Sequence, residues 1–188
     1  NTIRGKVRGR TRRSRFSTTG LGKFNLNAND SRTITADAGG VAISVAYGKA
    51  GSGNSTSVAV GAAIAINEIE QGFVEASVAD STIVTVGATE ISASSTTTID
   101  ALALAGAAAV GVSSKGGTTF SGAGAYTSND IDVDLTAAVT GSSVTATGVA
   151  VKTTNNATID AETYGVSIAA GVSTGRGAGA ALSVGVSL

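Results

Sequence analysis

TIDALALAGAAAVGVS, residues 98–113, decides how this chain folds, because it can be read in two ways. Its alanines favour a helix on propensity alone. Sixty residues later the same frame returns as TIDAETYGVSIAAGVS, residues 158–173. Thr98-Ile99-Asp100-Ala101 recurs as Thr158-Ile159-Asp160-Ala161, and Gly111-Val112-Ser113 as Gly171-Val172-Ser173. The second copy carries Thr, Tyr, Gly, Val and Ile where the first carries alanine, and that composition reads as strand. Equivalent places in a repeat take one structure, so both are strands.

The repeat extends outward from this frame. Thr33-Ile34-Thr35-Ala36 stands upstream at an offset of about 65 residues, and Asn67-Glu68-Ile69-Glu70 returns as Asn129-Asp130-Ile131-Asp132. Ser81-Thr82-Ile83-Val84-Thr85-Val86-Gly87 matches Ser142-Ser143-Val144-Thr145-Ala146-Thr147-Gly148. Several anchors in one order and nearly one spacing define units of about 60 residues, at 33–97, 98–157 and, in part, 158–188. Within them the local period is two: Val41, Ile43 and Val45 alternate with small residues, and Ile131, Val133 and Leu135 alternate with Asp130, Asp132 and Asp134. Gly, Asn, Ser and Asp recur every 8–12 residues, which predicts short strands joined by turns.

Composition narrows the interior. The 188 residues include 26 Gly, no Pro, no Cys, no His and no Trp, and aromatics make up 4%. The hydrophobic 42% is mostly Ala and Val, so any core is thin and its backbone layers lie close together. The expected fold is all-β, a parallel β-helix or β-solenoid of roughly 60-residue repeats with an Ala/Gly/Val core, each repeat making two or three coils. The missing histidine and cysteine exclude a Ser-His-Asp triad, a cysteine nucleophile, disulfides and His- or Cys-ligated metals. The longest apolar run, residues 101–112, is too short for a spanning helix, and seven aromatic residues cannot furnish the two girdles of an outer-membrane barrel. The chain begins with Asn1, which reads as processing, trimming or excision from something longer.

The formal net charge of zero is a cancellation. Residues 1–32 hold nine basic residues and one acid, a net +8, whereas 33–188 hold four basic and twelve acidic residues, a net −8. The sequence thus divides into a basic leader or arm, 1–32, and a solenoid, 33–188. In the leader Arg4, Lys6, Arg8, Arg10 and Arg12 alternate with Ile3, Gly5, Val7, Gly9 and Thr11, which puts five cations on one face of an extended chain. With Arg13 and Arg15 they form a candidate inter-subunit or polyanion contact. The alternatives are solvated disorder, docking on an acidic body and anionic glycan binding. Nucleic acid is disfavoured because no aromatic platform interleaves the cations. Arg12-Arg13-Ser14-Arg15 also offers a processing site.

The order of the Gly/Ala/Val-rich run, Ala-Ile-Asn-Glu-Ile (65–69), Val-Glu-Ala-Ser-Val-Ala-Asp-Ser-Thr-Ile-Val-Thr-Val-Gly (74–87) and Ile-Ser-Ala-Ser-Ser-Thr-Thr-Thr-Ile-Asp-Ala-Leu-Ala (91–103) resembles the repeats of large filamentous surface adhesins of Gram-negative bacteria, the leukotoxin-A-like and haemagglutinin-like secreted exoproteins. The resemblance covers about 33–188 and implies a secreted, elongated β-helical shaft at the cell surface. Residues 1–32 have no counterpart in it.

Asp130, Asp132 and Asp134 share one side of a strand, about 7 Å apart, and Glu68 and Glu70 recur at the matching place. Such a ladder could hold Ca²⁺ or supply the acid pair of a polysaccharide lyase or hydrolase. Its recurrence fits a solvated strand face better, since a catalytic centre is usually single. Gly51-Ser52-Gly53 and Gly175-Arg176-Gly177-Ala178-Gly179 lack the Gly-Lys-Ser/Thr ending of a phosphate loop and read as turns. Thr33/Thr35, Thr96/Thr98 and Thr145/Thr147 are too irregular for an ice-binding ladder. The leading expectation is a non-enzymatic structural or adhesive extracellular protein that self-associates into a homopolymer, with a surface glycan or host receptor as a further partner. The alternative is a β-helix that binds or cleaves acidic glycans, with Ca²⁺ as its cofactor if it has one. A functional amyloid ranks third, disfavoured by the long, non-uniform repeat.

Overall fold

The computed structural model describes residues 1–48, 55–113, 116–173 and 176–187. These form ten strands: β1 (Thr2–Arg12), β2 (Arg15–Ser17), β3 (Phe24–Gly48), β4 (Ser55–Ala79), β5 (Thr82–Val84), β6 (Thr89–Ser113), β7 (Gly116–Thr140), β8 (Ser143–Thr145), β9 (Val149–Ser173) and β10 (Arg176–Ser187). They run parallel in three sheets ordered β1-β4-β7-β10, β2-β5-β8 and β3-β6-β9. Consecutive strands belong to different sheets and every third strand returns to the same one, which is the winding of a β-solenoid. Residues 98–113 lie in strand, as the repeat argument requires.

The register shows that one repeat makes one coil. Thr2 pairs with Glu68, Thr82 with Ser143, and Arg176 with Gly116, offsets of 60 to 66 residues. The sequence pointed to two or three coils per unit because Gly, Asn, Ser and Asp looked like turns. Most instead sit inside strands of 25 residues. A strand paired on both sides by neighbouring coils takes polar or small residues at its outward positions without breaking.

Two compact units divide the chain: Asn1–Ile34 with Glu68–Thr98 and Asp130–Ile159, and Thr35–Asn67 with Ile99–Asn129 and Asp160–Leu188. In the first, three coils turn the same corner with the same chemistry. Arg13 and Asp80 adopt left-handed backbone (φ 49° each) and the third coil places Gly141 there (φ 58°). The following residue is always serine: Ser14 N–H donates to Ser81 Oγ (3.1 Å) and Ser81 N–H to Ser142 Oγ (3.0 Å). Each hydroxyl also donates back to the carbonyl two residues earlier, on Arg12, Ala79 and Thr140. The corner is therefore a serine ladder that satisfies backbone groups the turn would otherwise strand. Inside lie Phe24, Ala28, Val74, Ala76, Val78, Ile83, Ile91 and Ala93, and Phe16 meets Phe24 edge-to-face at 5.0 Å.

This first unit also buries an ion pair. Arg32, counted with the basic leader, points inward, with Arg32 and Asp30 side chains 7% and 8% exposed and 2.9 Å apart. The guanidinium also donates to the Gly5 carbonyl (2.9 Å). Buried charges survive when paired in this way.

The second unit has an alanine interior: Ala59, Ala63, Ala103, Ala105, Ala107, Ala109, Ala123 and Ala125. A Cβ on Gly40 would overlap the Ala62 carbonyl oxygen, and one on Gly61 the Gly106 carbonyl oxygen. The facing layers thus approach to backbone contact, the thin core expected from composition. The larger side chains point out, with Val41, Ile43, Val45 and Tyr47 on β3 each at least 70% exposed. Gly39→Ala, with nothing within 4 Å of its Cβ, should change stability by no more than about 0.5 kcal/mol. Gly40→Ala should cost at least about 2 kcal/mol by overpacking, and urea midpoints of the two variants check the contrast.

Candidate functional site

The outer face of the β1-β4-β7 segment in the first unit collects the charged residues. Alternation in β1 turns Ile3, Gly5, Val7, Gly9 and Thr11 inward and leaves Arg4, Lys6, Arg8, Arg10 and Arg12 outside. The basic stretch is extended, as its alternation indicated, and is paired along its length with β4. Its cations face the next coil: Arg4 binds Glu70 through Nε (3.0 Å) and Nη2 (2.5 Å), Arg10 forms a two-pronged pair with Glu75, and Arg12 lies 3.7 Å from Asp80. Arg8 approaches Glu75 at 3.7 Å and holds its guanidinium 5.1 Å from the Phe73 ring centroid. Of the remaining candidates, Arg13 turns the serine corner and Arg15 opens β2.

A β-bulge shapes this face. Arg4 pairs with Glu70 but Lys6 with Phe73, so β4 carries one extra residue, and Gln71 adopts left-handed backbone (φ 51°). Gly72 fills the bulge where a Cβ would strike Val133 and the Arg32 guanidinium. Beside it a groove of about 350 Å³ is lined by Lys6, Arg8, Gln71, Gly72, Phe73, Asp132 and Asp134.

The structure places Glu68 and Glu70 half-buried on β4 and Asp130, Asp132 and Asp134 exposed on β7, on neighbouring strands. Thr2 donates to Glu68 (3.3 Å). Among the described residues no ion pair reaches the three aspartates, and no three acids cluster tightly enough to hold a metal ion. Gly51-Ser52-Gly53 and Gly175 lie outside the described residues, whereas Arg176-Gly177-Ala178-Gly179, read from the sequence as part of a turn, runs in strand β10 paired with β7. Sequence reasoning missed Glu75, Asp80 and Phe73. The offset of about 65 that aligned Thr33-Ile34-Thr35-Ala36 with the next unit would have brought Glu75 to Arg10 and Phe73 to Arg8, whereas Asp80, which follows Arg12's partner Ala79, lies outside it.

The chain matches no protein-family model, no curated protein and no solved structure. Among the described residues no helix is long and apolar enough to cross a membrane.

Glu75 is the electrostatic centre of the face. The Arg10 hydrogen bond holds its carboxyl below the ordinary value of 4.5, helped by Ser77 and by the charges of Arg10 and Arg8, while burial pushes the other way. Arg10 is correspondingly raised by Glu75. A depressed carboxylate contributes stability that is present above its unfolded value and lost as pH falls through the folded one. Urea midpoints should therefore fall below about pH 4.5, and Glu75→Gln should be less stable at pH 7 with a shallower acid decline.

Proposed function

We propose that this protein is a non-enzymatic structural section, a β-solenoid shaft that assembles into a filament or adhesive fibre outside the cell. The observation that carries this reading is the combination of one repeat per coil with apolar ladders on the outer surface. Each 60-residue repeat adds one rung, the economical way to build length. In the second unit Val41, Ile43, Val45, Tyr47, Val60, Ile64, Val166 and Ile168 stand on the outer faces of β3, β4 and β9 while alanine fills the inside. Rows of exposed apolar side chains of this kind mark association surfaces. The repeat order resembling filamentous surface adhesins supports an extracellular setting, and the lack of cysteine is compatible with it.

Negative-stain images of the purified chain at neutral pH should show uniform-width filaments, and immunogold labelling should place it on the outer surface of producing cells. Monodisperse particles at every concentration, or label confined to the cytoplasm, would overturn the reading.

The groove beside the bulge favours a second reading, binding of acidic glycans: Lys6 and Arg8 offer cations for carboxylate or sulfate groups beside an aromatic ring, Phe73. Lys6→Ala combined with Arg8→Ala should lower affinity for a sulfated glycan at least tenfold. Unchanged affinity would end this second reading.

A further inference from the structure

The first unit carries a polar patch inside its core. On the outer face of the β3-β6-β9 sheet, Ser92 Oγ donates to Asn27 Oδ1 (2.8 Å) and Ser94 Oγ to Asn29 Oδ1 (2.7 Å), so β3 and β6 pair at an offset of 65 residues. On the inner face that register sets Asp30 beside Ser95 and Arg32 beside Thr97, all within the first unit. Ser95 and Thr97 are 1% and 0% exposed, on a strand flanked by β3 on one side and by β9 on the other. Among the described residues the buried side-chain atoms without a hydrogen-bond partner in the protein are Asp30 Oδ2, Arg32 Nη1, Ser95 Oγ, Thr97 Oγ1 and Thr127 Oγ1, and all but the last belong to this patch. Buried polar groups are almost always satisfied, so four that gather at one place call for a bound partner. We propose that this place is a hydration site, in which bound water bridges Arg32 of the first coil to Ser95 and Thr97 of the second.

The bulge on β4 builds the site. Its extra residue leaves Gly5 without a counterpart in the ladder, between Arg4 on Glu70 and Lys6 on Phe73. Gly5 instead gives its carbonyl to Arg32 Nη2 (2.9 Å). Nη1, the other arm of the guanidinium, reaches toward the next coil, since a Cβ on Gly72 would lie 2.8 Å from it. Arg32 faces Gly5 in the first coil, and both strands step down one coil together, so Thr97 faces the bulge in the second. The Nη1 group and the Thr97 hydroxyl thus approach the same place from two coils. Ile69 and Val74 flank the bulge, both 0% exposed, while the place itself is lined by Ser, Thr and Gly. A buried water needs small, polar surroundings with roughly two to four hydrogen-bonding partners, and this patch supplies them.

Charge selects water over an ion. Asp30 and Arg32 already neutralise each other, 2.9 Å apart. An anion beside Nη1 or a cation beside Oδ2 would add an uncompensated charge to a buried neutral pair, which costs far more than a neutral guest. Water accepts from Nη1 and both donates to and accepts from the two hydroxyls, so it matches every unpartnered atom of the patch.

The sign of a stability change distinguishes a hydrated site from a dry one. A buried hydroxyl with no partner is destabilising, so in a dry site Thr97→Val would remove that penalty and raise the urea midpoint. With water in place the same near-isosteric change takes away one of the water's partners and leaves Arg32 Nη1 poorly satisfied, so the midpoint should fall. Ser95→Ala should lower it as well. Oxygen-17 relaxation dispersion on the full chain should show long-lived waters, and their number should drop by about one or more per chain when Ser95→Ala and Thr97→Val are combined. A midpoint raised by Thr97→Val, or a water count that the double variant leaves unchanged, would refute the hydration site. A midpoint that rises with chloride at constant ionic strength in the native chain, but not in the double variant, would refute it too, by putting an anion there.

Discussion

Among the described residues the long strands pair with strands one coil away, as β1 does with β4 and β7 with β10, about 60 residues along the chain. A coil cannot satisfy its own backbone, so it holds its shape only when another coil lies against it. Each bond adds little net free energy, about 1 kcal/mol, but an unpaired buried group costs more. The ladder therefore fixes what the side chains have to do. They must not interrupt it, which explains why backbone groups at the corner after β1, β4 and β7 are tied down by the stacked serines 14, 81 and 142. They must also repeat from coil to coil, because residues in register share one environment.

Under this constraint the two units solve the interior differently. In the first, three sheets surround a core wide enough for Phe24, Ile83 and Ile91, and even for the Asp30–Arg32 pair. In the second, Gly40 and Gly61 meet facing carbonyls, and beside them the apolar interior is mostly alanine. Burying alanine yields little hydrophobic free energy per residue, since the effect scales with apolar area. The second unit leaves most of its larger apolar side chains outside, among them Val41, Ile43, Val45, Tyr47, Val60 and Ile64. Its apolar surface is thus a consequence of layer spacing, and it is available to whatever covers it.

The architecture was legible in the sequence because stacking demands recurrence. The paired frames at residues 98–113 and 158–173 decided strand over helix, and alternation in β1 assigned the outward cations. What was not legible was the length of the coil. Gly and Asn inside a 25-residue strand look like turns unless one knows that the neighbouring coils pair the strand on both edges. The bulge at Gln71 and Gly72 was hidden for a similar reason: it is one extra residue in one strand, visible only against its neighbours. Arg32 looked like one more cation of the leader, yet it sits in phase with the inward Ala28 and Ile34, and the parity of the strand outranked its charge.

The zero net charge acquires a structural meaning from this register. Basic residues gather on β1, acids on β4 and β7, so charge changes along the stacking direction rather than along the chain. Arg4, Arg10 and Arg12 are met by acids one coil later, Glu70, Glu75 and Asp80. Backbone pairing alone would tolerate several registers between coils, because every rung offers the same donors and acceptors. The charge pairs and the bulge differ from one register to the next, and they restrict the otherwise repetitive pairing of β1 with β4 to a single fit.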